Sequence, residues 1–208
     1  MKVLLVNGSP NKDGCTFTAL SEVATALSGE GIESEMFHIG TKPVYGCLGC
    51  GKCFKNRDNK CVLTDDLCNE LSAKIAEADG LVVGSPVYYA GPNGALCALL
   101  DRAFYSASRL FKHKPAACVL NCRRGGATAA FDRLNKYFTI AQMPVVSSQY
   151  WNSVHGFEPE DVLKDLEGLQ IMRTLGRNMA WLLKNTHSGS APPEPEATKA
   201  FTSFPDGL

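Results

Sequence analysis

The chain carries no excess charge of either sign: 21 Lys and Arg stand against 21 Asp and Glu in 208 residues. That balance sets up no long-range field to gather nucleic acid or an anionic membrane. No apolar run is long enough to cross a bilayer. No secretory leader is expected either, because Met1-Lys2 runs straight into Val3-Leu4-Leu5-Val6 with no small-residue cleavage site behind it. The four histidines, His38, His113, His155 and His187, share no metal-ligand spacing. The G-x-S-x-G elbow, the G-K-[ST] close of a Walker loop and the G-x-G-x-x-G dinucleotide fingerprint are all missing. Cysteine, by contrast, is plentiful at nine residues. Without an export signal these are expected to be cytoplasmic thiols or metal ligands rather than disulfides.

What is there alternates between two periods. Short apolar runs at 2–7, 32–38, 80–86, 115–121 and 144–150 read as strands. Helical stretches lie between them at 16–29, from Asp65-Asp66 to Ala78, at 94–111, at 127–141 and at 159–184. The first helix shows Leu20, Val23, Ala24 and Leu27 at i, i+3, i+4, i+7 spacing. The pattern predicts an α/β doubly wound five-stranded parallel sheet, order 2-1-3-4-5, with helices on both faces. One domain is expected over 1–186, with a C-terminal tail over 187–208. The segment 39–66 is a cysteine-rich loop, long enough to imply function.

Gly8-Ser9-Pro10 and Gly84-Ser85-Pro86 each follow a predicted strand and read as binding turns at the carboxyl edge of the sheet. The first continues through Asn11, Gly14, Cys15, Thr16, Phe17 and Thr18 into a helix. Hydroxyls and glycine at a helix start suit a phosphate, which backbone N–H groups and the helix dipole bind without a lysine. The plainer reading is an ordinary strand-to-helix turn capped by Thr16. Pro86, Val87, Tyr88 and Tyr89 form an aromatic wall after the second turn. Arg123, Arg124, Gly125 and Gly126 supply donors and close backbone approach from the far side. A phosphate beside a planar ring suggests flavin mononucleotide (FMN). Trp151 and His155 are candidates for the substrate side, and Lys12, Arg123 and Arg124 for a 2′-phosphate.

These motifs together resemble the NADPH-dependent FMN reductase family of the flavodoxin-like superfamily. The resemblance rests on G-S-P-x3-G-x-T at 8–16, G-x-C-x-x-C-G-x-C at 45–53, Cys61-Val62-Leu63-Thr64-Asp65-Asp66, Gly84 through Tyr89, and Asp101-Arg102. It implies bound FMN, with Ser9 and Thr16 on the phosphate and Ser85 through Tyr89 against the ring. It also implies a reduced nicotinamide, NADH or NADPH, as electron donor, and a homodimer or homotetramer. Cys15 departs from the Asn or Ser common at that position. Asp101 and Arg102 are read as a structural or subunit-contact ion pair.

Cys47, Cys50, Cys53 and Cys61 form a compact C-x2-C-x2-C-x7-C set. Three readings stand: a [4Fe–4S] cluster as in the family's iron–sulfur flavoprotein branch, a four-cysteine zinc site, or no metal, with the thiols as packing residues. The expected activity is FMN-dependent NAD(P)H oxidoreduction, with hydride passed to FMN and on to a small-molecule acceptor such as a flavin or quinone. One alternative is single-electron transfer between cluster, FMN and a ferredoxin-like partner. Another is a non-enzymatic flavin-binding redox sensor. No catalytic acid or base is expected, since hydride chemistry belongs to the cofactor.

Overall fold

A computed structural model describes residues 1–189 and 191–194. Most of the expected tail therefore lies outside the described residues.

Burial alternation along the strands explains the layering. In β1 (Lys2–Asn7), Val3 and Leu5 pack on one face while Leu4 and Val6 pack on the other. β3 (Gly80–Tyr88) and β5 (Ala116–Cys122) divide in the same way, with Val82, Ala117 and Val119 against the first face and Leu81, Val83, Cys118 and Leu120 against the second. Strands buried on both faces read as continuous apolar runs, which is the mark of a parallel sheet covered on both sides. α1 (Cys15–Gly29) and α7 (Leu166–His187) cover the first face. α3 (Cys68–Glu77), α4 (Gly94–Ala107) and α5 (Ala127–Ile140) cover the second. Among the described residues no helix is long and apolar enough to cross a membrane.

With β2 (Glu33–His38) and β6 (Ser153–His155), the parallel path runs β2-β1-β3-β5-β6. A sixth strand, β4 (Gly91–Pro92), pairs antiparallel with the end of β3. This corrects the expected five-stranded sheet in two ways. First, Gly84-Ser85-Pro86 is not a turn. β3 continues through it, with Pro86 opposite Asn121, and the chain reverses at Tyr89-Ala90. Second, 144–150 is not the last strand. Val145 makes one isolated bridge to Ala116, and regular pairing resumes only where Leu120 meets Ser153. The intervening backbone is drawn off the sheet by the polar side of α7. Asn178 Nδ2 donates to Ser147 O at 2.8 Å, and Ser148 Oγ donates to Ile171 O at 2.7 Å.

The expected helix at 159–184 is broken. A capping box at Glu158 and Asp161 starts the short α6 (Pro159–Val162), and Asp165 caps a new start for α7 by accepting from Gly168 N at 2.9 Å. The cysteine-rich loop holds an unexpected short helix, α2 (Lys52–Asn56).

Candidate cofactor sites

The carboxyl edge of β1 and β3 holds the first site. Gly8 N donates to Gly84 O at 2.9 Å, so the two glycine-serine-proline segments lie against each other. A Cβ on Gly8 would fall 2.6 Å from Gly84 O and 2.5 Å from Leu96 Cδ2. Gly8→Ala must therefore push the two strand ends apart. A loss of about 1–3 kcal/mol is expected, read as a lower denaturant midpoint together with a displaced phosphate loop and lower FMN content.

Asn7, a polar residue ending an apolar strand, braces this loop from inside. Its Oδ1 accepts from Ser9 N at 3.1 Å and its Nδ2 donates to Lys12 O at 2.9 Å. His38 Nε2 donates to Ser9 O at 2.8 Å from the end of β2. Sequence reasoning passed over both residues, although a buried Asn closing a Val-Leu-Leu-Val run is a legible signal. Ser9 Oγ accepts from Asn11 N at 3.1 Å, and Ser9 and Thr16 are buried. Thr18 Oγ1 donates back to Gly14 O at 3.3 Å, and Asn11 is exposed at the loop tip. Phe17 is half-buried one residue past Thr16. Cys15 is buried with Sγ 3.8 Å from Gly156 O, and burial pushes its thiol pKa up. It is a packing thiol at the edge of the loop.

On the ring side, the tip of the β3–β4 hairpin carries Tyr89 and Ala90 at φ of 50° and 61°. Two left-handed positions in a two-residue loop make the tight hairpin reversal. A non-glycine pair there carries backbone strain of the kind found at functional sites. Tyr89 stands fully exposed, Tyr88 is half-exposed and Val87 is half-buried. Ser85 is wholly buried and its hydroxyl is used internally, donating to Pro86 O at 2.8 Å and accepting from Asn93 N at 2.9 Å. Asn93 caps α4, so Ser85 ties the wall to that helix. Gly126, at φ 94°, leaves room for Ala90, whose Cα would lie 2.9 Å from an added Cβ. The Arg123-to-Gly126 loop thus abuts the hairpin tip, with Arg123 and Gly125 exposed. Trp151 packs on Tyr150 at 5.1 Å, and the His155 ring lies 3.5 Å from Asp165.

Two observations fit this edge to FMN. Gly14 caps α1 with no side-chain acceptor, so the first-turn N–H groups are available to an anion. Asn121 Oδ1, at the end of β5, is buried and has no donor among the described residues. A ribityl hydroxyl or a flavin ring N–H would satisfy it.

The second site is a cavity of about 390 Å³ whose wall includes Cys47, Cys50, Cys53, Cys61, Arg102 and Tyr105. Gly49 and Gly51 adopt φ of 62° and 65°, and these left-handed turns curl the backbone so that the first three cysteines line one cavity. α2 sets Cys53 on its first turn, and Phe54 packs edge-on against Tyr105 of α4 at 5.9 Å. Cys61 is pinned twice by Asn69, whose Oδ1 accepts from Cys61 N at 2.8 Å and whose Nδ2 donates to Cys61 O at 2.9 Å. Cys47 and Cys50 are exposed, and Cys53 and Cys61 are half-buried. Among the described residues no three His, Cys, Asp or Glu are gathered as around a single ion. A [4Fe–4S] cluster takes four thiolates, and four thiols line this one cavity, so the residue types and their number fit that group.

Arg102 and Asp101 do not pair with each other. Arg102 is buried and bonds Asp66, while Asp101 accepts from Tyr137 Oη at 2.5 Å and from Arg133 Nη2 at 3.2 Å. Adjacent residues on a helix point about 100° apart, so one dipeptide serves two neighbourhoods. Cys68, Cys118 and Cys122 are buried away from this cavity, and Cys97 is half-buried on α4. Burial pushes the Cys68 thiol up to about 12, which suits an inert packing thiol.

Residues 1–158 match the model of the NADPH-dependent FMN reductase family. The chain belongs to that family. It is also 32% identical over 195 residues to an iron–sulfur flavoprotein of Methanocaldococcus jannaschii, across 88% of this chain and 98% of the relative. A second iron–sulfur flavoprotein from that organism is 30% identical over 192 residues, across 85% of this chain and 94% of the relative. A solved flavone reductase superposes with a TM-score of 0.70 at 16% identity, across 92% of this chain and 66% of that one, a likeness of fold alone. The chain is thus a flavodoxin-like member of a family of flavin oxidoreductases, and FMN and NADPH are that family's cofactor and co-substrate.

Proposed function

We propose that this chain is an iron–sulfur flavoprotein that moves electrons between reduced nicotinamide or a ferredoxin-like partner and an acceptor. The carrying observation is the cavity lined by four cysteines in a chain of the FMN reductase family. When bound, FMN exchanges hydride or single electrons and a [4Fe–4S] cluster exchanges single electrons. The chain's own residues hold and shield these groups. Ser9, Thr16 and the first-turn N–H groups of α1 take the phosphate. Val87 through Tyr89 and the Arg123-to-Gly126 loop flank the ring. Cys47, Cys50, Cys53 and Cys61 supply thiolates. No side chain at the edge is needed as an acid or base. The protein acts as a homodimer or homotetramer.

A second reading, a cluster-free NAD(P)H:FMN oxidoreductase with redox-sensitive thiols, is favoured by the exposure of Cys47 and Cys50. An anaerobic absorbance spectrum with iron and acid-labile sulfide assay separates the two. Flavin bands over broad cluster absorbance, with about four irons per chain, support the proposal. Flavin alone under strict exclusion of oxygen supports the second reading. Cys53→Ser is expected to drop iron and sulfide to background while FMN content stays unchanged, because the two sites draw on different loops. Retention of full iron would remove Cys53 from the ligand set.

A further inference from the structure

Arg102 is a buried cation that the flavin chemistry does not use. It rises from α4 with its side chain 1% exposed and spends its donors on the cysteine loop. Nη1 reaches Tyr45 O at 3.2 Å, just ahead of Cys47. Nη2 reaches Leu63 O at 2.8 Å, just beyond Cys61. Asp66 balances the charge. A further donor, Nε, points at Cys61 Sγ, 3.3 Å away. One guanidinium therefore clasps both ends of the loop and also donates to the sulfur of its last cysteine. A planar fork with five donors does this, and a lysine ammonium cannot reproduce it.

Resting on the iron–sulfur reading above, we propose that Arg102 is a positioning residue for the cluster. It holds the loop closed around the four thiols, and its Nε–H draws charge from the Cys61 sulfur. Hydrogen bonds to ligand sulfurs raise a cluster's reduction potential by stabilising the more negative reduced form. The clasp accordingly sets both the retention of the cluster and its potential.

Arg102→Lys tests this in anaerobically reconstituted protein, with FMN content and circular dichroism as the record of folding. The folded variant is expected to lose iron to a chelator about tenfold faster than the parent. Its cluster potential is expected to fall by about 59 mV, a tenfold change for one electron. Unchanged iron loss and potential in folded Arg102→Lys would overturn the role of Arg102 and leave the iron–sulfur reading standing. A parent chain that takes up no iron would overturn both.

A measurement on the unmutated protein covers the case in which the variant does not fold. With 15N-arginine incorporated, pulsed electron paramagnetic resonance of the reduced cluster is expected to show a 15N coupling from a guanidinium at the ligand sulfur. Its absence in iron-loaded protein would overturn the proposal.

Discussion

Asp66→Asn lowers the unfolding free energy by about 3–5 kcal/mol, the usual result of removing one partner from a buried ion pair. Asp66 and Arg102 side chains are 4% and 1% exposed, so the arginine left behind has no water to turn to. Asp66 also accepts from Cys68 N at 3.1 Å, satisfying an orphan N–H at the start of α3. For a chain of this size the loss corresponds to a drop in Tm of roughly 10 °C. Chemical denaturation at pH 7 measures it, and a change below about 1 kcal/mol would show that the pair is dispensable. The pH dependence carries a second signature. Burial raises the Asp66 pKa, but bonds from Arg102 and Cys68 N outweigh it and hold the carboxyl below its ordinary value. A carboxyl with a depressed folded pKa contributes its stability above the unfolded value near 3.9 and loses it as pH falls through the folded value. The parent therefore loses stability in acid, and the Asn variant shows a shallower loss over that window.

Ser9→Ala combined with Thr16→Ala weakens FMN binding by about a hundredfold or more. Each hydroxyl donated to a phosphate is a charge-assisted bond of about 1.5–3 kcal/mol, so losing two reaches that factor. The Ser9 change also strips the acceptor from Asn11 N and loosens the loop. The fold is expected to persist, because Asn7 and His38 still hold the Ser9 backbone. Titration of the apoprotein, followed by flavin fluorescence quenching, gives the affinity. An unchanged Kd would place the phosphate elsewhere.

Much of the fold was legible because burial on both faces writes an unbroken apolar run. Val3 to Val6, Leu81 to Val83 and Ala116 to Leu120 are such runs, and each became a central strand. The fifth strand was not legible. Val145 and Val146 carry the right residue types, but α7 captures the backbone and side chains that follow, and no local pattern encodes the reach of Asn178 to Ser147. Pro86 read as a turn because proline cannot donate to a ladder, yet it stands at the last pair of the β3–β5 ladder, where a missing donor is tolerated. The phosphate loop was readable residue by residue, since glycine and hydroxyl types at a strand-to-helix junction serve a local purpose. His38 and Asn121 were missed because their partners are far along the chain, whereas Asn7 serves Ser9 and Lys12 close by and was legible but passed over.

The sequence by itself determined the alternation of strand and helix, the position of the phosphate loop and the presence of four cysteines at compact spacing. These are local properties, set by residue type and period. Only the tertiary structure decided that the four thiols line one cavity, that Arg102 turns from its neighbour Asp101 to clasp that loop, and that Gly8 and Gly84 touch. Each of these joins segments far apart along the chain. Such contacts follow from packing helices on a twisted sheet, which no short window of residues specifies.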